Sequence, residues 1–367
     1  MLKDYLNQIE SCTECKMCLD VCPIYSDAGN DTLTPIYMLK IVKKILNNEN
    51  INQEDINAPY SCPKCQACSN ICPENIDIPS IVAELRNELF YQKYTPLKNH
   101  AVISESILKN ANSVNKTPDI RWDWFPKDEE FPENSSTLFF VGCLPCYFIK
   151  DGAISSYNIL KKINYDFRLL KDEGCCGSIF YDIGDIEKAE ILYKNNLDKF
   201  DDLGINKLII SCSGCYKAFK NFYPEVTGEK IEVVPIVDVL NEALKKGKLK
   251  FNKLDEKVTY QDPCNFGRVF KKFDEPRNLL KVACDFIEME HSKENTICCG
   301  AGSAVRSAFA DLSIRMALKR LDEAEKVAST LVSTCPFCVF NLGYAARKNN
   351  RNIKVRYITE ILDEAFV

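Results

Sequence analysis

Histidine is nearly absent from this 367-residue chain; His100 and His291 are the only two. That scarcity nearly excludes zinc sites built on imidazole and makes histidine-based acid–base catalysis improbable. Long apolar runs are missing too. The longest, Leu138 to Ile149, is too short for the ~20 residues of a membrane-spanning helix, and two cysteines and a proline interrupt it. There is no surplus of positive charge. Lys and Arg total 47 against 52 Asp and Glu, a formal charge of −5 with a pI near 5.4. A general nucleic-acid binder would need a basic surface. The opening MLKDYLNQIESC carries charges where a secretory leader needs apolar residues, so the expected location is cytoplasmic.

Cysteine is the abundant unusual residue. There are 20, well short of the roughly 8–10% that marks a small disulfide scaffold. In a reducing compartment thiols stay free, so regular groups of them point to metal. The length suggests two or three domains, and 46% hydrophobic residues suffice for real cores.

The cysteine spacing divides the chain. Residues 1–91 contain two copies of one pattern: Cys12, Cys15, Cys18 and Cys22 before Pro23, then Cys62, Cys65, Cys68 and Cys72 before Pro73. Three thiolates spaced three apart on a tight loop can cap one face of an iron–sulfur cube, and the fourth, beside its proline, ligates the other cube. The spacing assigns Cys12, Cys15, Cys18 and Cys72 to one 4Fe–4S cubane and Cys62, Cys65, Cys68 and Cys22 to a second. The segment TPIYMLKIVKKILNN reads as a helix with Thr34 as N-cap and Pro35 in its first turn. IPSIVAELRNELFYQKY reads as another, entered through Pro79. Residues 92–136 read as a linker, with no cysteine and four prolines (Pro96, Pro118, Pro126 and Pro132). Its Trp122 and Trp124 are expected to pin it to a neighbouring domain.

Residues 137–367 hold an internal repeat. Cys143, Cys175, Cys176, Cys212 and Cys215 match Cys264, Cys298, Cys299, Cys335 and Cys338, and IVDVLNEA from Ile236 matches ITEILDEA from Ile358. The expected domains are 137–247 and 248–367. In each, β-rich runs (TLFFVGC, DFRLLK, KLIISC; KVTYQD, DFIEME, STLVSTC) alternate with helical stretches, the pattern of an α/β fold with parallel sheets. The cysteines fall at strand ends and the following turns, where open α/β sheets place ligands. Five thiolates per copy exceed the four of a tetrahedral zinc or a simple cubane, and adjacent cysteines suit a multinuclear cluster.

The motifs GCCGSIF, SCSGCYKAF, YQDPCNFGR, DEPRNLL, CCGAGSAV and STCPFCVFNL resemble the cysteine-rich CCG domain family. A two-cubane ferredoxin domain fused to two such domains is similar to the heterodisulfide reductase catalytic subunits of methanogens. The resemblance covers nearly the whole chain. It implies two noncubane 4Fe–4S clusters, one in each complete five-cysteine set. It also implies an oxidoreductase subunit that reduces a coenzyme M–coenzyme B type heterodisulfide between them, with electrons supplied through the cubanes. The expected partner is an electron-donating redox subunit: a cytochrome b, a hydrogenase-linked protein or a flavoprotein. Any membrane association would run through that partner. Relatives in the same family are electron-transfer subunits of FAD-linked glycolate, lactate or glycerol-3-phosphate dehydrogenases, which is the competing reading. Many relatives read HDPC where this chain has Gln261-Asp262-Pro263-Cys264, so a proton donor at that position is in doubt.

Basic residues near the motifs are Lys217, Lys220, Arg268, Lys271, Lys272, Arg277 and Arg306. Arg268 and Arg277, inside NFGR and DEPR, are the expected substrate-binding pair. Two cysteines remain: Cys146, an alternative ligand through its Cys-x-x-Cys with Cys143, and Cys284, which reads as a small buried hydrophobe. The two repeats are expected to be related by an approximate twofold, their cysteine pockets facing a shared cleft.

Overall fold

The computed structural model describes residues 2–367. Its N-terminal part is helical. Pro35–Leu46 begins where Thr34 Oγ1 accepts the Tyr37 N–H at 3.1 Å, leaving Pro35 in the first turn, where no amide donor is needed. Its apolar face, Met38, Leu39, Ile41 and Val42, is buried with Ile81, Val82, Leu85 and Leu89 of the helix Ile78–Tyr91. The 92–136 stretch is not only linker. It contains the helix Lys98–Asn110, whose residues Ile107 and His100 are buried. Trp124 packs edge-on against Tyr157, and Trp122 Nε1 donates to the Lys171 carbonyl at 2.8 Å, which fastens the segment to the first repeat.

Seven strands form two all-parallel sheets. In the first, β1 (Thr137–Phe140), β2 (Lys207–Ile210) and β3 (Glu232–Pro235) lie in that order, with Leu138 opposite Leu208 and Leu208 opposite Val233. In the second, the order is β5 (Asp285–Phe286), β4 (Lys257–Gln261), β6 (Thr330–Ser333) and β7 (Lys354–Tyr357). The central strands are buried on both faces, as a sheet covered by helices on each side requires. DFRLLK yields only a bridge, Leu138 to Arg168, where a strand was expected. One residue further on, the backbone turns to the linker instead, Leu169 N–H donating to the Pro132 carbonyl at 2.7 Å. Counting that bridge as the edge, both sheets share one strand order.

The repeats pack reciprocally. Helix Lys150–Lys162 of the first lies on Ile358–Ala365 of the second, and Asp274–Ala283 of the second lies on Ile236–Lys245 of the first. Mutual exchange of equivalent contacts is the mark of a twofold relation. One apolar core runs through the joint, including Phe139, Ile159, Leu240, Val258, Leu280 and Ile361.

Candidate functional site

The two N-terminal cysteine runs fold alike for a local reason. Glu14 and Lys16 in the first, and Lys64 and Gln66 in the second, all adopt left-handed backbone with φ between 51° and 66°. Alternating left-handed residues turn successive amides toward the loop interior; in the second run Lys64 N–H approaches Cys62 Sγ at 3.4 Å. The structure gathers Cys12, Cys15, Cys18 and Cys72 around one small pocket walled by Pro35, Ile36, Leu39, Ile76 and Ile78, and Cys68 lines it too. Cys22, Cys62, Cys65 and Cys68 surround a second. Thus the fourth cysteine of each run sits with the first three of the other. Burial pushes the Cys18 thiol up to about 11 and the Cys22 thiol to about 12.

In the repeats, Cys143, Cys212, Cys264 and Cys335 follow the C-terminal ends of β1, β2, β4 and β6, the end of a parallel sheet at which ligands collect. The Cys-Cys turns are equivalent. Gly177 N–H faces Cys175 Sγ at 3.4 Å and Gly300 N–H faces Cys298 Sγ at 3.5 Å. Both glycines have positive φ, and a Cβ on Gly300 would lie 2.8 Å from the Ser313 carbonyl oxygen, so no larger residue fits the turn. Within the first repeat Cys175 touches Cys143, Cys176 touches Cys215, and Cys212 touches Cys215. In the second, Cys298 touches Cys264, Cys335 touches Cys338, and Cys299 lies 3.0 Å from Cys338. The second member of each adjacent pair is held toward the thiolate: Cys176 by the Cys175 and Cys215 thiols, and Cys299 by those of Cys298 and Cys338.

Two further contacts cross module boundaries. Cys212 of the first repeat meets Cys335 of the second, and Cys65 of the N-terminal part meets Cys298. The Cys65 thiol is lowered to about 6, chiefly by the Cys298 thiol and also by the Arg268 charge, against the opposing effect of burial. The junction is held by Arg86, which is 0% exposed. Its guanidinium donates to the carbonyls of Pro59, Cys62, Asp182 and Ser303 at 2.6–3.1 Å, so it ties the N-terminal part to the segments after both Cys-Cys turns, the helix Ser178–Ile183 in the first repeat and the Ser303 turn in the second. Beside it Lys64 Nζ pairs with Asp182 Oδ1 at 2.7 Å, and burial lowers the Lys64 ammonium to about 8. Sequence reasoning missed both. An arginine on the apolar face of Ile78–Tyr91, next to Leu85, was the available signal.

A cleft of about 270 Å³ lies between the repeats. The second repeat contributes Cys264, Cys299, Cys335 and Cys338 to its wall; the first contributes Ser178, Ile179, Ser213, Gly214 and Lys217, but none of its thiols. The shared cleft is present, yet it opens on one cysteine set only. Its floor carries backbone strain, since Ser303 and Ala304 are consecutive left-handed residues with φ of 50° and 63°. Such conformations cost on the order of 1–3 kcal/mol each and need outside support. Arg86 holds the Ser303 carbonyl and His100 Nε2 holds that of Ala304 at 3.1 Å.

Arg268 and Arg277, the expected substrate-binding pair, do not line this cleft. Arg277 is 2% exposed, with its guanidinium on Asp262 at 2.7 Å and Glu288 at 2.5 Å. Arg268 is spent on the carbonyls of Cys65, Glu294 and Thr296. Both make their bonds inside the protein, Arg277 with carboxylates and Arg268 with backbone. Gln261 is buried, donating to the Thr296 hydroxyl at 3.3 Å and the Ile297 carbonyl at 3.2 Å and accepting from Arg320 at 2.6 Å, so it serves the second repeat's scaffold. His291 pairs with Glu323 at 3.4 Å. Cys146 is buried in the core behind β1 with Trp124, and burial pushes its thiol up to about 12. Cys284 is buried and donates to the Leu280 carbonyl.

The donor set fits iron–sulfur clusters. The thiols stand in groups around pockets, as a multi-iron core requires. Buried donors also lack acceptors. Arg121 Nε and Nη1 and Arg320 Nη2 have no hydrogen-bond partner, while the Arg121 charge acts on Cys146 and Cys143 and the Arg320 charge on Cys338. An unsatisfied buried donor costs about 1–3 kcal/mol, so an acceptor such as a cluster sulfide belongs beside these groups.

Comparison with known proteins agrees with this architecture. A 4Fe–4S dicluster domain matches residues 8–76, and a cysteine-rich domain matches twice, at 137–220 and 258–343. The chain is 30% identical over 386 aligned residues to a subunit of the dihydromethanophenazine:CoB–CoM heterodisulfide reductase of Methanosarcina acetivorans, covering 98% of this chain and 94% of that one. It is 26% identical to a subunit of the CoM/CoB fumarate reductase of Methanothermobacter marburgensis, over 98% and 73% of the two chains. It is 31% identical to an EtfAB:quinone oxidoreductase of Syntrophomonas wolfei, over 62% and 34%. A crystal structure of a hypothetical Helicobacter pylori protein superposes with a TM-score of 0.62 at 14% identity, covering 99% of this chain and 75% of that one, which shows a common fold. No helix is long and apolar enough to cross a membrane among the described residues.

Proposed function

Since the chain belongs to a family of heterodisulfide reductase subunits, iron–sulfur oxidoreductase subunits with a dicluster domain ahead of two cysteine-rich domains, we propose that it reduces a disulfide of small thiols in its inter-repeat cleft. The reaction takes two electrons from an electron-donating redox partner and two protons from solvent, and breaks one S–S bond to give two thiols. Cys12, Cys15, Cys18 and Cys72 would hold one cubane, and Cys62, Cys65, Cys68 and Cys22 the other. Cys143, Cys175, Cys176, Cys212 and Cys215 would hold one noncubane cluster, and Cys264, Cys298, Cys299, Cys335 and Cys338 the second. When bound, these clusters supply the one-electron steps.

The observation that carries this reading is the unbroken line of thiols. Cys65 meets Cys298, the second set reaches the cleft wall, and Cys335 meets Cys212 of the first set. The chain's own residues do the positioning. Arg86 and Lys64 lock the N-terminal part against both repeats, Arg268 bridges Cys65 to the second repeat, and Phe337, Phe340 and Phe148 give the cleft an apolar wall. The relative with a quinone oxidoreductase name supports a second reading, an electron-transfer subunit for a flavoprotein with no disulfide substrate of its own.

The test is disulfide-dependent oxidation of reduced viologen dye under strict anaerobiosis with the cluster-loaded protein, using the CoM–CoB heterodisulfide and simple disulfides. Turnover that disappears in Cys299→Ser supports the first reading. A fully loaded protein that reduces no disulfide but exchanges electrons with a flavoprotein supports the second.

A further inference from the structure

We propose that Arg121, from the segment ahead of the first repeat, donates hydrogen bonds to the sulfurs of the cluster held by Cys143, Cys175, Cys176, Cys212 and Cys215, and so raises that cluster's reduction potential. This rests on the reading above that the first thiol set holds a cluster. It adds a residue from outside the matched cysteine-rich stretch, residues 137–220.

Position is the first argument. The Arg121 and Glu173 side chains are buried and paired through Nη2 and Oε1. Both carboxylate oxygens reach further. Oε2 accepts the Val141 N–H at 2.8 Å, and Oε1 accepts the Gly142 N–H at 2.9 Å. Glu173 lies two residues before Cys175, and Gly142 directly before Cys143. Gly142 packs against the thiol set itself, since a Cβ there would stand 3.4 Å from Cys215 Sγ. One carboxylate therefore joins the loops that carry Cys143 and Cys175, and Arg121 is its counter-charge. A carboxylate buried this deeply beside five thiolates would be costly without a cation.

The spare donors are the second argument. The bond to Glu173 uses one nitrogen of the guanidinium, and the other two, Nε and Nη1, are buried with no partner. The Tyr147 ring flanks the group, its centre 5.9 Å from the guanidinium carbon. A counter-charge for Glu173 needs only the paired nitrogen; two further unanswered donors at a buried site call for an acceptor. A rigid fork suits acceptors spread over several atoms, as the sulfurs of a cluster are. Hydrogen bonds to those sulfurs favour the extra negative charge of the reduced state, which lifts the potential.

The repeat supplies the third argument. Matching cysteines stand 121–123 residues apart, and the same interval from Arg121 lands on Glu242, Ala243 and Leu244, none of them basic. The second set is served instead by Arg320 from the helix Ala310–Ala324, which Gln261 and Glu323 already hold and which keeps one spare nitrogen. Matching thiol sets thus stand in unlike surroundings, and surroundings tune a metal centre.

The experiment is an anaerobic redox titration of the cluster-loaded protein, followed by electron paramagnetic resonance. The signal of the first set is the one that Cys175→Ser removes. In Arg121→Lys an ammonium keeps the charge beside Glu173 but loses the fork. One-electron reduction at that signal should become at least tenfold less favourable, a fall of about 59 mV, while the other signals change less than twofold and iron content holds. Should the variant lose iron, the wild type decides: with arginine labelled by nitrogen-15 in the guanidinium, the first-set signal should show a nitrogen-15 coupling. A wild-type potential in Arg121→Lys leaves Arg121 a counter-charge for Glu173 and overturns the proposal. So does an equal shift of every signal, or the absence of the nitrogen coupling. Those outcomes leave the cluster reading standing. If Cys175→Ser removes neither iron nor any signal, the first set holds no cluster, and both the reading and the proposal fall.

Discussion

Replacing Arg86 with methionine should release the N-terminal cysteine module from the two repeats while both remain folded. The side chain is fully buried and donates to four carbonyls, those of Pro59, Cys62, Asp182 and Ser303, which belong to three different parts of the chain. Methionine fills most of the volume but leaves all four oxygens without that donor. At about 1–3 kcal/mol for each unsatisfied buried group, the gross loss is large. Part of it is offset, because the desolvation of a buried guanidinium is no longer needed. A net destabilisation of the junction of about 3–5 kcal/mol remains, in the range of a broken buried charge contact. Anaerobic urea unfolding separates the modules conveniently. Both tryptophans sit in the segment packed on the first repeat and report on the repeats, and visible absorption reports the clusters. In Arg86→Met the onset of cluster loss should precede the fluorescence transition by at least about 1 M urea, given a slope of about 1–3 kcal/mol per molar. Arg86→Lys should recover less than half, since an ammonium cannot reproduce the fork. Coincident transitions at the wild-type midpoint would refute the argument that these four bonds join the modules.

Burial lowers His100 to about 4, so the folded protein refuses a proton that the unfolded chain accepts below its ordinary value of 6.5. Stability should therefore fall as pH drops from about 6.5 to 4 and level off below, by up to about 3 kcal/mol; denaturation at several pH values should show this slope in wild type and not in His100→Asn. Arg277→Met leaves Asp262 buried without its guanidinium, and a loss of about 3–5 kcal/mol in stability is expected, while KM for an acidic disulfide should stay within about twofold because Arg277 lies outside the cleft. Cys22→Ser should remove the cluster held with Cys62, Cys65 and Cys68 and spare the one held with Cys12; spectroscopic loss of the Cys12 cluster instead would reject the crossed grouping. Gly184→Ala should strain the same junction as Arg86→Met, since φ is +91° and the added Cβ would run into the Arg86 carbonyl.

Much of this protein was legible without coordinates because cysteine spacing is a local property. Cys-x-x-Cys-x-x-Cys dictates a tight loop, and the same loop appears in both runs with left-handed residues at equivalent positions. Thr34 and Pro35 announced a helix start that needs only neighbouring residues. The repeat announced two similar α/β units because β1, β2, β4 and β6 come from β-rich runs that are each followed within three residues by a cysteine. DFRLLK was misread because pairing depends on the competitor for its edge, here Pro132, which no local pattern contains.

The residues themselves determined the kinds of groups present: soft thiols in sets of four and five, almost no imidazole, and a chain repeated upon itself. Tertiary structure alone decided which charges are free. Arg268 and Arg277 looked available because they sit inside conspicuous motifs, but Asp262, Glu288 and four backbone carbonyls occupy them. Lys217 and Arg306, named beside them among the basic residues near the motifs, are the ones that line the cleft. Whether an arginine binds a ligand depends on what else its guanidinium can reach, and those partners lie up to about 200 residues away along the chain. The same holds for the contacts of Cys65 with Cys298 and Cys212 with Cys335: long-range packing creates them, and sequence spacing carries no trace of it.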